Sequence, residues 1–445
     1  MNRKLFFVLF FLCLAVFFIV ILGKVKYTDS DPVGSLLVSQ SMLKKATIKL
    51  DDYKEKFISY RCVVIDQEDW FGCVIHRKNN HYYYFFPLGT PVFSVPFVAV
   101  ANLIGLDMAE YKHEKNLQII IAAINATLTF ILLFLLARLY LDDTKSLLIS
   151  TLTWFGTSFA STTGTALWSH NFATLFALLA IYLSIRSVKT SNFKLWPVIA
   201  ISLFSCYLCR PTMILLSPFL IGYLFLFNKK ISIYTSILLS AFLIAFASFS
   251  LHEFGQLLPD YYLPQRLSGK YFFDAIYGNL LSPSRGIIVF SPFLLMPLIY
   301  SKSMYDSIKN EKSLIILLSW PIMHFILISR LPHWWAGWSY GPRLMTDVLP
   351  GIFLLIIIAV SKLNFYKPTT LALVIILGSF SVYINTFQGL FNHYTQLWNA
   401  DPNIDEHPEY LFDWQFPQFL HNKSRHEERL MEFNRRKELR TSNSN

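Results

Sequence analysis

The sequence predicts an all-α integral membrane protein of about eleven transmembrane helices, with a large first outer loop that carries juxtamembrane helices. Three observations predict it. Of 445 residues, 54% are hydrophobic and 15% charged, where a soluble domain carries about 25% charged residues. The apolar residues gather in runs of roughly the 20 residues that a bilayer core requires. Lys and Arg concentrate in alternate connections, as the positive-inside rule demands. One water-facing core cannot bury so much apolar surface, which excludes a soluble enzyme, a disordered chain and a secreted disulfide scaffold.

The first span, Leu5–Gly23, follows Arg3 and Lys4. Its apolar run is too long for a signal-peptide core and no small-residue cleavage site follows, so it reads as a retained anchor. Further spans are expected at Leu117–Ala137, Leu147–Thr165, Ser169–Arg186, Lys194–Arg210, Pro211–Phe227, Ile231–Leu251, Ile287–Tyr300, Ser313–Arg330, Leu344–Lys362 and Thr369–Phe387. Pro91–Gly105 is shorter and holds Pro91 and Pro96, which suits an interfacial helix that does not cross. With the N-terminus inside, the six inner segments hold 14 Lys and Arg against 4 Asp and Glu, or +10 of the formal +11. The basic balance is therefore a signal of topology, and a nucleic-acid partner is not expected. The polytopic membrane domain spans 1–387, with its first outer loop at 24–116, and an outer tail covers 388–445.

Water and ionisable groups meet in the outer loops. Asp29 and Asp31 stand just beyond the first span, where a carboxylate can act as a general base or serve as a solvated capping acid. Cys62 and Cys73 share the first loop and form either a disulfide or two free thiols. Trp168-Ser-His170 lies at a tight outer turn, and Arg210-Pro211 at an outer hinge. The 252–286 loop holds Tyr261, Tyr262, Arg266, Lys270, Tyr271 and Ser282-Pro-Ser-Arg285-Gly286; the 331–343 loop reads Pro332-His-Trp-Trp335-Ala-Gly-Trp338-Ser-Tyr340-Gly-Pro-Arg343. Guanidinium forks match phosphate oxygens. Tryptophans suit sugar faces, or form an interfacial belt; their density in this one loop favours a site.

His324 lies inside a span and reads as a neutral, hydrogen-bonded packing group rather than a functional one. Asp347, four residues after Arg343, is expected to pair with it. No phosphate-binding glycine loop, dinucleotide fingerprint or zinc-protease motif occurs. Cys206-Tyr-Leu-Cys209 has CxxC spacing but lies in an apolar span without a second pair, and is not read as a metal site.

Four segments carry a family resemblance: Tyr84-Phe-Phe-Pro87-Leu-Gly89-Thr-Pro91 with Pro96, Leu167-Trp-Ser-His170, Ser282-Pro-Ser-Arg285-Gly with Ser291-Pro292, and Trp335-Ala-Gly-Trp338-Ser-Tyr-Gly-Pro-Arg343. With one span, a large outer loop opening on an acid, and many further spans, the chain resembles polytopic glycosyltransferases of the C superfamily, which include protein O-mannosyltransferases and lipid A aminoarabinose transferases. The resemblance implies inverting transfer of a sugar from a polyprenyl-phosphate carrier to an acceptor hydroxyl at the outer, periplasmic face of a bacterial inner membrane. It implies an outer-loop Asp as base, with Asp29 preferred to Asp31. Arg343, Arg285, Arg266, Arg210 and His170 are the candidates for the donor phosphate, and Trp335, Trp338, Tyr340, His333 and Tyr84 for sugar and acceptor. The acceptor is a glycan, a lipid or a protein. No cofactor is required, although the two aspartates offer a weak divalent-metal site. A transporter or flippase of a lipid-linked sugar is the alternative; it calls for charged or broken helices at mid-membrane.

Overall fold

The computed structural model describes residues 3–53, 63–64, 74–361, 363 and 367–442. The class is as expected: an all-α membrane protein whose described strands make one small sheet. Six helical stretches are long and apolar enough to cross a bilayer: Arg3–Leu22, Tyr111–Ala137, Ser169–Lys189, Lys229–Phe254, Arg343–Val360 and Pro368–Phe391. Four shorter apolar ones accompany them: Gly89–Leu103, Phe193–Cys209, Pro211–Phe227 and Leu314–Ile328.

Helix α1 (Arg3–Leu22) is apolar all round and buries only Val16 and Val20. Its 20 residues rise about 30 Å, the thickness of a hydrocarbon core. It packs on α4 (Tyr111–Ala137), which in turn packs on α6 (Ser169–Lys189). Between α1 and α4 lie α2 (Ser35–Lys45), the sheet of β1 (Val63–Val64), β2 (Ile75–Lys78) and β3 (His81–Tyr84), and α3 (Gly89–Leu103). β1 runs parallel to β2, and β2 pairs antiparallel with β3, Ile75 opposite Tyr84. α3 has the 15 residues and the internal Pro96 of a helix too short to span, and its end projects Leu103, 86% exposed. Cys62 and Cys73 lie outside the described residues.

Two expected spans are not continuous helices. Leu147–Thr165 becomes α5 (Asp143–Phe155) and a single turn at Ser158–Ser161, with Gly156 ending the first and the Thr157 hydroxyl capping the second. Ile287–Tyr300 becomes three short pieces, Ile287–Phe290, Pro292–Leu295 and Met296–Ile299, because Pro292 and Pro297 lack the N–H that an unbroken ladder needs. Free backbone groups in an apolar bundle need partners. Asn385 supplies them for both breaks. Its Nδ2 lies 3.0 Å from Gly156 O and 2.7 Å from Phe290 O, and its Oδ1 accepts from Ser161 Oγ at 2.9 Å. Asn385 sits in a π-helical stretch, Tyr383–Phe391, that continues the helix Pro368–Val382.

The remaining helices complete the bundle. α7 (Trp196–Cys209) packs on α6 and on α9 (Lys229–Phe254); α8 (Leu216–Phe227) packs on α9 and on α11 (Leu314–Ile328). α10 (Phe272–Leu281) precedes the Ser282–Gly286 turn. α12 (Leu349–Val360) is buried on nearly every side, and α13 is the Pro368–Val382 helix. The tail folds as α14 (Tyr394–Ala400), two short 3-10 turns and α15 (Lys423–Ser442).

α3 is held against the end of α7 by a close approach at Gly89. A Cβ there would lie 2.4 Å from Cys209 Sγ and 2.6 Å from the Cys209 backbone nitrogen. The obstruction is partly backbone and cannot rotate away. We expect Gly89→Val to cost about 1–3 kcal/mol by overpacking, seen as a lowered melting temperature of the detergent-solubilised protein. An unchanged melting temperature would refute this close packing.

Candidate active site

The residues between α1 and α2 turn tightly around the two acids. The turn is fixed by groups behind it. Gln118 Nε2 of α4 reaches the Pro32 carbonyl at 3.3 Å, the Gly34 N–H donates to Glu114 Oε1 at 2.6 Å, and the Tyr84 hydroxyl donates to the Asp31 carbonyl at 2.5 Å. The two side chains then diverge. Asp29 is 57% exposed, bonded to the Tyr111 hydroxyl and 3.5 Å from Lys115 Nζ. Asp31 is 34% exposed and accepts from Arg343 Nη1 at 3.0 Å. The acid turn and the 331–343 loop, 312 residues apart in the chain, thus form one site around Asp31.

Arg343 is nearly buried. Its Nη2 donates to the Ala336 carbonyl at 2.9 Å, its guanidinium lies 4.2 Å from the centroid of the Trp168 ring, and its Nε has no hydrogen-bond partner. The loop is shaped to receive it. Ala336, Gly337 and Gly341 have φ of 61°, 61° and 59°, and for the non-glycine Ala336 that conformation costs roughly 1–2 kcal/mol. The strained residue is the one whose carbonyl holds Arg343, as expected where local strain serves a site.

The expected Arg343–Asp347 pair does not form. Residues Arg343–Val348 are a 3-10 helix, whose three-residue turn sets positions i and i+4 on different faces. Asp347 instead accepts from His170 Nδ1 at 2.7 Å and Arg210 Nε at 2.9 Å, with no solvent exposure. Arg210 caps the end of α7, and His170 lies in the first turn of α6. The carboxylate stays tolerable in an apolar setting because both its oxygens are paired.

A second link runs through Tyr261. Arg210 Nη1 donates to the Tyr261 hydroxyl at 3.2 Å, and the Arg266 guanidinium stacks 3.8 Å from the Tyr261 ring centroid. Burial pushes the Tyr261 phenol up, but Arg210 and Arg266 more than offset it and hold the phenol below its ordinary value; Asp31 is near enough to act against them. Asp31, Arg343, Arg210, Arg266 and His170 therefore meet at one end of the bundle, joined by Asp347, Tyr261 and Trp168.

Other expected site residues have structural work. Arg285 is buried, and all five of its N–H groups are used. They donate to Trp335 O at 2.8 Å, Ser284 O at 2.8 Å, Gln418 Oε1 at 2.7 Å, Gly337 O at 3.1 Å and Asn399 Oδ1 at 2.8 Å. That leaves no donor for a phosphate, so Arg285 is a scaffold for the loop; burial pushes its guanidinium down to about 9. Tyr340 is buried, donates to Ile384 O at 2.8 Å and packs on Phe290, so it faces inward rather than toward a sugar. Trp335 is buried and donates to Asp405 Oδ1 at 2.8 Å, and His333 Nε2 lies 3.2 Å from the same oxygen. Trp338 is 46% exposed with its N–H on Asn403 Oδ1 at 3.0 Å. Tyr84 backs Asp31 as described.

His324 is fully buried and packs edge-on against Trp320, but neither of its ring nitrogens has a hydrogen-bond partner, contrary to expectation. Cys206 and Cys209 are buried free thiols. Asp29 and Asp31 face different cations, and among the described residues no three His, Cys, Asp or Glu side chains gather as a metal-ligand set.

Sequence reasoning missed the partners more than the residues. Tyr261 and Trp168 stood in the loops already singled out, and Asp347 was signalled only as an ionisable residue at the edge of an apolar run, which needs a partner. Gln418 and Asn399 gave none. Residues 99–252, from within α3 to the end of α9, match the family of dolichyl-phosphate-mannose-protein mannosyltransferases. They include His170 and Arg210, and lie between the acid turn and the Arg343 loop. No curated protein matches the chain. The match over residues 99–252 supports a membrane glycosyltransferase of the C-superfamily type.

Proposed function

We propose that the protein transfers a sugar from a polyprenyl-phosphate carrier to an acceptor hydroxyl, with inversion, at the periplasmic face of a bacterial inner membrane. The observation that carries this reading is the Asp31–Arg343 pair, a partly exposed carboxylate beside a nearly buried guanidinium with an unpartnered Nε. The family match supports the donor class, and the charge placement supports the orientation.

Asp31 takes the acceptor's proton. The acceptor oxygen attacks the anomeric carbon as the bond from that carbon to the lipid phosphate breaks, and the bonding pair leaves with the phosphate. Attack and departure occur on opposite faces, which inverts the centre. Arg343, Arg266 and Arg210 lie where the growing phosphate charge is stabilised, and preset cations there lower the barrier. A phosphate beside Arg343 also competes with Asp31 for the guanidinium, which frees the carboxylate oxygen for the acceptor hydroxyl when donor is bound. Asp347 holds His170 through Nδ1 and Arg210 through Nε, so both point the same way throughout. Trp338, exposed at the rim, offers an aromatic face to an acceptor. Of the two acids, geometry favours Asp31, because Asp29 is turned toward Tyr111 and Lys115.

Two predictions follow from this assignment. Asp31→Asn should lower transfer of a radiolabelled sugar from polyprenyl phosphate in membranes by about 10²–10⁴-fold with the protein still folded, while Asp29→Asn keeps most of the activity. The reverse pattern would remove Asp31 as the base. Arg343→Ala should lower donor kcat/KM by about 10²–10³-fold; unchanged donor kinetics would exclude it from the phosphate site.

A further inference from the structure

The tail, residues 388–445, touches both halves of the site. Leu390 O accepts from the backbone N–H groups of Lys24 and Val25 at 2.7 and 2.9 Å, and Gln396 Nε2 donates to Lys26 O at 2.7 Å. These contacts hold the segment that leads into the acid turn. On the other side stands Gln418, which is fully buried. Its Oε1 accepts from the Gly341 N–H at 3.0 Å and from Arg285 Nη1 at 2.7 Å, and its Nε2 lies 3.0 Å from both Ser339 O and Thr395 O. Gly341 O in turn accepts from the Arg343 N–H at 2.9 Å.

The rest of the tail is built to keep Gln418 in place. α14 and α15 pack together, with Arg429 buried between them. Arg429 Nη1 donates to Trp398 O at 2.6 Å, and its guanidinium lies 4.4 Å from the Trp398 ring centroid. Asp405 and Asn403 add the bonds to Trp335 and Trp338. Each of these side chains meets the 331–343 loop or supports one that does.

We infer that the tail is a clamp, and that Gln418 is a positioning residue which sets Arg343 opposite Asp31 through Gly341 and Arg285. This rests on the reading of Arg343 as a donor-phosphate group. A side chain as buried as Gln418 can serve by filling space or by its hydrogen bonds. Only the hydrogen bonds reach Gly341. Gln418→Met fills nearly the same volume without them, and Gln418→Glu keeps the acceptor oxygen for Gly341 and Arg285.

The test measures binding of undecaprenyl phosphate to the full-length detergent-solubilised protein by ligand-dependent melting, with the ligand-free melting temperature of each variant recorded. Wild type is expected to bind saturably. Gln418→Met should bind at least tenfold more weakly, and Gln418→Glu, which keeps the acceptor oxygen but loses the Nε2 donor to Ser339 and Thr395, should recover part of that loss. In an Arg343→Ala background, Gln418→Met should add no further loss, since its effect passes through Arg343. Gln396→Met, at the other anchor, should weaken binding as well, and keeps the test decisive if Gln418→Met does not fold. Wild-type binding with either Met variant unaffected would overturn the clamp alone, as would additive losses of Gln418→Met and Arg343→Ala. Absence of wild-type binding would overturn the donor reading and the clamp with it.

Discussion

A charge in an apolar bundle needs a partner, and the constraint shapes everything at one end of this protein. Asp347 has no exposure to water, so its cost is met by two partners, His170 from the start of α6 and Arg210 from the end of α7. Those bonds fix the two helix ends relative to the segment that begins at Arg343. Arg343 is then left to pair with Asp31, a residue still in contact with solvent. The buried trio is the rigid base and the Asp31–Arg343 pair is the exchangeable part. A pair in which one member sees solvent can trade partners with a ligand more cheaply than a fully sealed pair can.

The same accounting explains the irregular backbone. Helix breaks at Gly156 and between Phe290 and Pro292 would leave carbonyls unsatisfied in an apolar setting. Asn385 serves both. The π-helical stretch around it widens the turn spacing where this side chain must reach two neighbours, and such stretches recur at functional positions. These breaks leave short, bent segments beside the loops that carry Tyr340 and Arg343, with Phe290 packed on Tyr340.

Span positions were legible in the sequence because hydropathy is a local property, and most of the expected runs correspond to helices. The breaks were not, since the partner that makes them tolerable lies 229 residues from Gly156. That acids, arginines and aromatics from separate loops gather at one end of the bundle was also legible from loop order. Their division of labour was not. Arg285 and Arg343 sit in similar short turns beside prolines or glycines, yet one has every donor occupied and the other keeps one free. Asp29 and Asp31 are equally near the first span and differ only in which way a tight turn points them. Asp347 looked like a neighbour of Arg343 because an α-helical spacing was assumed where the chain forms a 3-10 turn.

The clamp at the C-terminal end has a consequence for how the protein is made. Ribosomes release a chain in order, so the acid turn leaves before the Arg343 loop, and Gln418 after both. Until Gln418 has emerged, the loop lacks the hydrogen bonds that this side chain makes to Gly341, Ser339 and Arg285. A nascent or truncated chain, already inserted and lipid-exposed, would hold its carboxylate and its arginines without the geometry that joins them. The acid turn and the Arg343 loop are thereby brought into register only after the tail has folded against both.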